Sequence, residues 1–470
     1  MAQTRSRETW CVVLLSLCMS VGMAVCAAAQ QQEEGSGESP ESQSPESLRP
    51  HLRFGLEARA NFRNSEENRF QVPFDFDPEP GPDHVARGFE ETVNAGSHFE
   101  VSDVTLFVDA DWGDGLAAHG KLDFIDLYER NPTSTDKKVD VDEAWIRFGI
   151  EPLPATLAPR SGVYLKIGKF PHFERQNDRH LESYGLVSTA FNRLEDEGAE
   201  LGVSLGRHLY AKFSATAGNP VFMRDPNVLA GDNGTPNRIT ASADPKLKSG
   251  IVILYDAEVE DLDVDGNLEL GGGLGARFAD AEGRNGVDIL AWAYQRTLAD
   301  TVELEGTFYG GDIDVLNGPE GHPDVNPSLA IHGDQKKEVG GNVWLYWGGL
   351  SLFAQYVDQK LAGLPRTGLE AEAAWRFDLP LWVTVGDRQL FPWIAPAVRW
   401  SRLDNDFGLP PGGTPAPSFT WDWTKIDYGV RVGIFQGIDL TMEYADNRFI
   451  LASGAERENN EFLATLRWRS

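Results

Sequence analysis

What this sequence lacks narrows it first. Its three cysteines, Cys11, Cys18 and Cys26, all fall within the first 29 residues. No thiol follows them, which excludes a disulfide framework and a cysteine metal site from the remainder. Positive charge is scarce: 42 Lys and Arg face 72 Asp and Glu, a formal net charge of −30. That balance argues against nucleic acid as a partner. Beyond residue 29 no stretch approaches the ~20 apolar residues of a membrane-crossing helix. The nine histidines are scattered, with no paired-His zinc motif and no serine-centred nucleophile elbow.

What is present begins with an export signal over 1–29. Arg5 and Arg7 form its charged start, Val12 to Val25 its apolar stretch, and Ala27-Ala28-Ala29 a small-residue cleavage site. Ser and Gly interrupt the stretch and no basic stop-transfer segment follows, so a membrane anchor fits less well. Val25 does not suit a lipoprotein site at Cys26. Cleavage would remove two basic residues and one acid, taking the net charge from −30 to −31. Residues 30–50 are rich in Gln, Glu, Ser and Pro, and are expected to form a disordered acidic tail in the periplasm. Residues 51–470 show no second linker and are read as one domain.

That domain alternates. Leu52, Phe54, Leu56, Ala58, Ala60 and Phe62 are apolar, and Arg53, Glu57, Arg59, Asn61 and Arg63 between them are polar or charged. Successive side chains of a strand point to opposite faces, so the segment has one greasy and one wet face. About eighteen such segments run to the last residues, among them 247–258, 286–298 and 301–313. Tight glycine turns at 112–115, 348–349 and 436–437 alternate with long connections such as 64–97, 171–196, 219–246, 314–337 and 406–420. Short turns on one rim and long loops on the other are how an outer-membrane barrel is organised. The pattern therefore predicts an all-β fold: an antiparallel transmembrane β-barrel of 16–18 strands, with eighteen favoured. Trp112, Tyr128, Trp382, Trp393, Trp400, Trp421 and Trp423 fall near strand ends, where interfacial girdles sit.

Parity assigns the inward faces. Val104, Leu106 and Val108 point to lipid and Thr105, Asp109 and Asp111 inward; His119, Lys121 and Asp123 point inward on the next strand. Glu143, Arg147, Tyr164 and Lys166 follow on the two after it. A packed core could not hold so many charges without a severe desolvation cost, whereas a water-filled lumen holds them readily. Lys121, Asp123, Glu143, Arg147 and Lys166 are the expected pore wall. The connection Pro171 to Asp196 is the expected constriction, with Arg175, Arg179, His180 and Arg193 opposed by Glu182, Glu195 and Asp196. Its apolar residues Leu181, Tyr184, Leu186, Val187 and Phe191 would let it fold inward and pack on the wall. Charges of both signs at a narrow point create a transverse field and set ion preference.

Four runs carry a resemblance: Phe99 to Trp112, Lys121 to Phe124, Val141 to Phe148 (with Asp142-Glu143-Ala144) and Val163 to Phe170 (with Leu165-Lys166-Ile167-Gly168). Together they resemble the phosphate-selective porin family of the O/P type, and 347–356 resembles a later hairpin of that family. The likeness is good over 98–210 and loose elsewhere. It implies a trimeric outer-membrane porin with an inward-folded third loop. Known members have sixteen strands, and 286–313 reads as an added hairpin. Their arginine ladder is here interleaved with acids, and the last residue is Ser470 rather than an aromatic, although Trp468 has the same facing.

Other motifs carry less. Asp261, Asp263, Asp265 and Gly266 copy half of a calcium loop, but its twelfth position is Gly272, so a turn is expected. Gly271 to Gly275 reads as a glycine-rich strand. The function expected is passive diffusion of small hydrophilic ions or solutes across the bacterial outer membrane, without chemistry, cofactor or metal. Net charge favours cations and the resemblance anions; the resemblance is local to the constriction, so anion or phosphate preference is favoured. Two alternatives stay open. One is a structural barrel whose acidic tail tethers a periplasmic partner. The other is a barrel-borne or soluble exported enzyme, for which Glu143 with Asp109 or Asp123 is the only carboxylate pair available.

Overall fold

The computed structural model describes residues 50–66, 69–72, 88–91, 96–113, 115–125, 139–150, 162–173, 180–191, 195–206, 208–218, 221–223, 255–259, 268–280, 284–297, 302–306, 313–314, 335–361, 364–380, 383–386, 388–406, 422–450, 454, 456–458 and 460–470. The expected leader, the tail as far as Arg49, and the stretch Asp261 to Gly266 lie outside them.

Sixteen strands form the wall: β1 (His51–Ser65), β2 (Gly96–Asp111), β3 (Leu116–Ile125), β4 (Val139–Gly149), β5 (Gly162–Pro171), β6 (Glu195–Leu205), β7 (Leu209–Thr216), β8 (Glu269–Ala279), β9 (Asn285–Thr297), β10 (Gln335–Trp347), β11 (Leu350–Leu361), β12 (Leu364–Trp375), β13 (Trp393–Asn405), β14 (Asp422–Phe435), β15 (Ile438–Ile450) and β16 (Glu461–Arg469). Each pairs antiparallel with the next. β16 returns to β1 from Glu57↔Arg469 to Ser65↔Glu461, while the other edge of β1 pairs with β2 from His51↔Asp111 to Ser65↔Gly96. The wall is thereby closed, which is the condition for a sheet to cross a bilayer without an unpaired edge.

The alternation in the sequence sets the faces. Phe54 and Leu274 are 68 % and 70 % exposed on the outside, while Glu57 and Gln359 inside are 1 % and 0 % exposed. A soluble β-sandwich would show the reverse. This is the inside-out arrangement of a transmembrane barrel, greasy outwards and charged inwards.

Connections differ between the two rims. The turns after β2, β10 and β14 are the tight glycine turns expected. Gly348 and Gly437 have φ of 58° and 75°, a region open to glycine and costly for most other residues. Both chain ends of the barrel lie on this turn rim, since His51 sits opposite Asp111 and Arg469 donates its N–H to the Gly437 carbonyl at 2.7 Å. Most of the longer connections lead from the loop rim, but β11 and β12 are joined there by only two residues, and the turn rim carries the longer connections 150–161 and 376–392.

Two expected strands leave the wall. Tyr255–Val259 and Val302–Gly306, from the segments 247–258 and 301–313, pair with each other in a separate four-stranded sheet. The wall offers them no edge: β7 bonds directly to β8, and β9 directly to β10. The count is therefore sixteen rather than eighteen. Asn285–Thr297 is in the wall, but not as half of an added hairpin. Glycine-rich Gly271 to Gly275 lies in β8 as expected.

The aromatic girdle is partly different from the one expected. Trp423 is buried inside the barrel, and Trp393 lies inside the turn rim between Arg376 and Arg431, 4.7 and 6.0 Å from their guanidinium carbons. Outward at that rim stand Trp347, Trp375, Phe377 and Trp468, with Trp375 and Phe377 stacked at 5.7 Å. Tyr128, Trp382 and Trp421 lie outside the described residues.

Candidate functional site

After Pro171 the chain leaves the wall and enters the lumen. Residues 180–191, with the short helix α1 (Leu186–Ala190), lie against β12 to β16, and the chain rejoins the wall at Glu195. β13 is eight strands from β5 in either direction, so the loop spans the barrel to its far side.

Side chains of that far wall bind the loop's backbone. Glu443 accepts the N–H groups of Glu182 and Ser183 at 2.7 and 2.8 Å, Ser401 that of Leu186 at 3.4 Å, and Glu370 that of Val187 at 3.3 Å. Donors serve the carbonyls: Arg399 to Ser183 at 2.7 Å, Lys425 to Tyr184 at 2.6 Å and Arg366 to Ala190 at 2.8 Å. Asp427 pairs with both Arg399 (2.8 Å) and Lys425 (3.2 Å), and Glu372 lies 3.5 Å from Arg399. Backbone groups taken out of water cost about 1–3 kcal/mol each if unpaired, so this buried set of charges is what lets an irregular segment lie inside the barrel.

Apolar contacts complete the docking. Leu186, Val187, Ala190 and Phe191 pack in one buried cluster with Val357, Leu403, Trp423 and Phe449, and Leu181 packs with Ala374 and Ala397. Of the inward-packing residues expected from the sequence, Leu181, Leu186, Val187 and Phe191 are thus on the wall. A Cβ at Gly185 would collide with the Glu370 carboxylate, and one at Gly368 would lie 2.6 Å from Phe191. Glycine at both places allows the close approach.

The expected constriction residues are distributed as follows. His180 bonds to Glu372 through Nδ1 at 2.8 Å, and Glu182 faces Thr441 (3.4 Å) and Arg467 (3.8 Å). Both therefore engage the far wall. Asp196 sits 3.6 Å from His172. Glu195 is on the near side, where carboxylate oxygens of Asp142, Glu143 and Glu195 lie within 4.8 Å of one another. Arg175, Arg179 and Arg193 lie outside the described residues.

The expected wall residues all stand together on β3 to β5, facing inward. Lys121 pairs with Asp142 and lies 3.4 Å from Asp123. Asp142 reaches the inner face because the β3–β4 register slips by one residue at Lys121/Leu122. Trp145 Nε1 donates to Glu143 at 3.2 Å, and the Arg147 guanidinium lies 5.8 Å from the Trp145 ring. The Lys166 ammonium sits 5.3–5.9 Å from the rings of Trp145, Phe170 and Tyr164 and 3.6 Å from Glu200. His119 stacks on Trp145 at 5.2 Å, with Asp109 2.7 Å from Nδ1 and Glu143 3.8 Å from Nε2.

The two sides of the lumen differ in access. On the far wall Arg399, Lys425 and Asp427 are 1 % exposed or less. On the near wall Lys121 and Asp142 are 17–18 % exposed and Asp109 38 %. The docked loop covers the far half, and solvent reaches part of the near wall, where Lys121, Asp142 and Asp109 are open while Asp123 and Lys166 are buried. The far-wall set was missed from sequence, although charges two apart in apolar runs, Glu370 with Glu372 and Lys425 with Asp427, are its signal.

Fold and lumen define a class: a sixteen-stranded transmembrane barrel with a charged interior crossed by a loop. No protein-family model matches the chain, and no curated protein matches it. Among solved structures it is similar to OprB of Pseudomonas putida at high pH, with 11 % identity and a TM-score of 0.48 over 89 % of this chain and 94 % of that one. The outer membrane channel DcaP of Acinetobacter baumannii gives 10 % identity and 0.45 over 92 % and 100 %. OmpT, an outer membrane protein of Vibrio cholerae, gives 12 % and 0.44 over 92 % and 100 %.

Proposed function

We propose that this protein is an outer-membrane porin, a passive channel for small hydrophilic ions or solutes, exported by its leader and assembled as a trimer. The observation that carries the reading is the asymmetry of the lumen. The loop is fastened to the far wall, and the near wall of β2 to β4 keeps solvated charges of both signs. Solvated fixed charges along a bilayer-spanning lumen are what a conducting path requires. No catalytic step is assigned to Glu143, Asp109 or Asp123.

Two supports bear on ion preference. The resemblance of 98–210 to phosphate-selective porins favours anions. The near wall favours cations, because Asp109, Asp142 and Glu143 outnumber Lys121 and Arg147 on its solvated part. The reversal potential of the refolded protein in a planar bilayer under a KCl gradient separates them. A chloride-side potential supports anion preference and is followed by a phosphate-block titration; a potassium-side potential retires the phosphate analogy. Absence of conductance from a folded barrel overturns the channel reading in favour of a structural barrel, whose support is the packed far half of the lumen.

A further inference from the structure

The inner mouth at the turn rim is basic on one side, in a chain whose net charge is −30. Arg376 follows β12, Arg388 lies in the hairpin beyond it, and Arg431, Arg467, Arg469 and Arg59 face inward on β14, β16 and β1. Four acids meet these six arginines among the described residues. Asp439 lies 2.9 Å from Arg431 and 3.1 Å from Arg467, and Glu57 is 2.8 Å from Arg59 and also pairs with Arg469. Asp378 is 3.2 Å from Arg376, and Glu182 of the loop is 3.8 Å from Arg467. Among these described side chains the arginines outnumber the acids by two. Arg376 and Arg469 are also the most open of the paired arginines here, at 56 % and 59 % exposed.

The counter-charge is in the chain itself. Residues 30–49 carry Glu33, Glu34, Glu38, Glu41 and Glu46 against the single base Arg49. They join the barrel at Pro50, next to His51 on the turn rim, and β1 is the immediate neighbour of β16. From β1 to β12 is five strand spacings, about 24 Å around the rim. A random-coil chain of twenty residues would have an end-to-end distance of roughly 25 Å. A tethered partner that matches the gap acts at an effective concentration in the millimolar range.

We propose that the acidic segment 30–49 docks on the arginine mouth of β12 to β1 and neutralises the turn-rim entrance. The docking rests on charge and tethering, without a folded interface. It does not depend on the porin reading, although in a conducting barrel it would set how strongly the inner mouth attracts anions. An arginine presents a fixed, always-charged fork to carboxylates, so several loose pairs can form and exchange.

The barrel has no cysteine after Cys26, so Ser42→Cys in the chain from Gln30 to Ser470 gives a single labelling site. A nitroxide there should be immobilised at low salt and become several-fold more mobile at about 1 M KCl, where the Debye length is about 3 Å. Replacing the five tail glutamates with Gln should free it at low salt, leaving the barrel sequence untouched. Arg376→Gln with Arg469→Gln should do the same. A label equally mobile under all these conditions overturns the docking. So does immobilisation that persists in the glutamate-free tail, since something other than charge would then hold it. These readings need no current, so they remain decisive even where the bilayer experiment shows no conductance.

Discussion

Glu443 on β15 and Ser183 on the inward loop are joined by a 2.8 Å hydrogen bond between residues 260 positions apart in sequence. The other carboxylate oxygen takes the neighbouring N–H of Glu182 at 2.7 Å. One side chain thus fixes two consecutive peptide groups against the far wall of the lumen.

Glu443→Ala should therefore loosen the loop. Two buried N–H groups lose their acceptor, at about 1–3 kcal/mol each. Single-channel recordings should show noisier and larger conductance than the unaltered protein. Glu443→Gln keeps one acceptor and should give the smaller change. Identical traces from both variants would assign the loop's position to its apolar contacts alone.

Gly368→Val tests those contacts. A Cβ there would lie 2.6 Å from Phe191, and the further methyls would push the ring off its seat. Overpacking of this kind costs about 1–3 kcal/mol. The melting transition, followed by circular dichroism in detergent, should fall while the far-ultraviolet strand signal of the folded state is retained.

The two walls should respond differently to neutralisation. Lys121→Gln with Arg147→Gln removes positive charge from the solvated side and should move the reversal potential towards potassium. Lys425→Gln lies behind the docked loop, where it is buried and bound to the Tyr184 carbonyl. It should lower stability and leave the reversal potential nearly unchanged. A larger selectivity shift from Lys425 than from Lys121 would place the path on the opposite side.

Arg175 and Arg179 are assigned to the constriction from sequence. Neutralising both should shift selectivity towards cations. An unchanged reversal potential would remove them from that role.

Leu274 tests the membrane-facing surface. It is 70 % exposed on β8. Leu274→Arg should cost about 2–4 kcal/mol of folding stability in bilayers if the site lies near the midplane. Urea titration in lipid vesicles measures it; a neutral effect would mean that this face does not meet hydrocarbon.

Much of this architecture was legible because it is local. Period-two alternation gave the faces of β1 to β5, and glycine dipeptides gave the turns after β10 and β14. The charges Lys121, Glu143, Arg147 and Lys166 could be placed inward by counting alone. What counting could not supply was partnership. Tyr255–Val259 and Val302–Gly306 look like wall strands until the β7–β8 and β9–β10 pairings take the edges they would need. Trp423 sits near a strand end, as a girdle residue would, yet its parity turns it towards Phe449 and the loop. The far-wall carboxylates were invisible for a similar reason. Glu370 and Glu443 acquire their task only when a segment nearly two hundred residues or more away in sequence is laid across them.

The crossing loop has a mechanical consequence. A hoop of hydrogen-bonded strands keeps its circumference but is easily squeezed into an oval, because flattening breaks no ladder. A chord that leaves the hoop at Pro171 and is fastened to β12 to β16 fixes one diameter. The same contacts that narrow the passage therefore hold its cross-section against lateral pressure from the surrounding membrane.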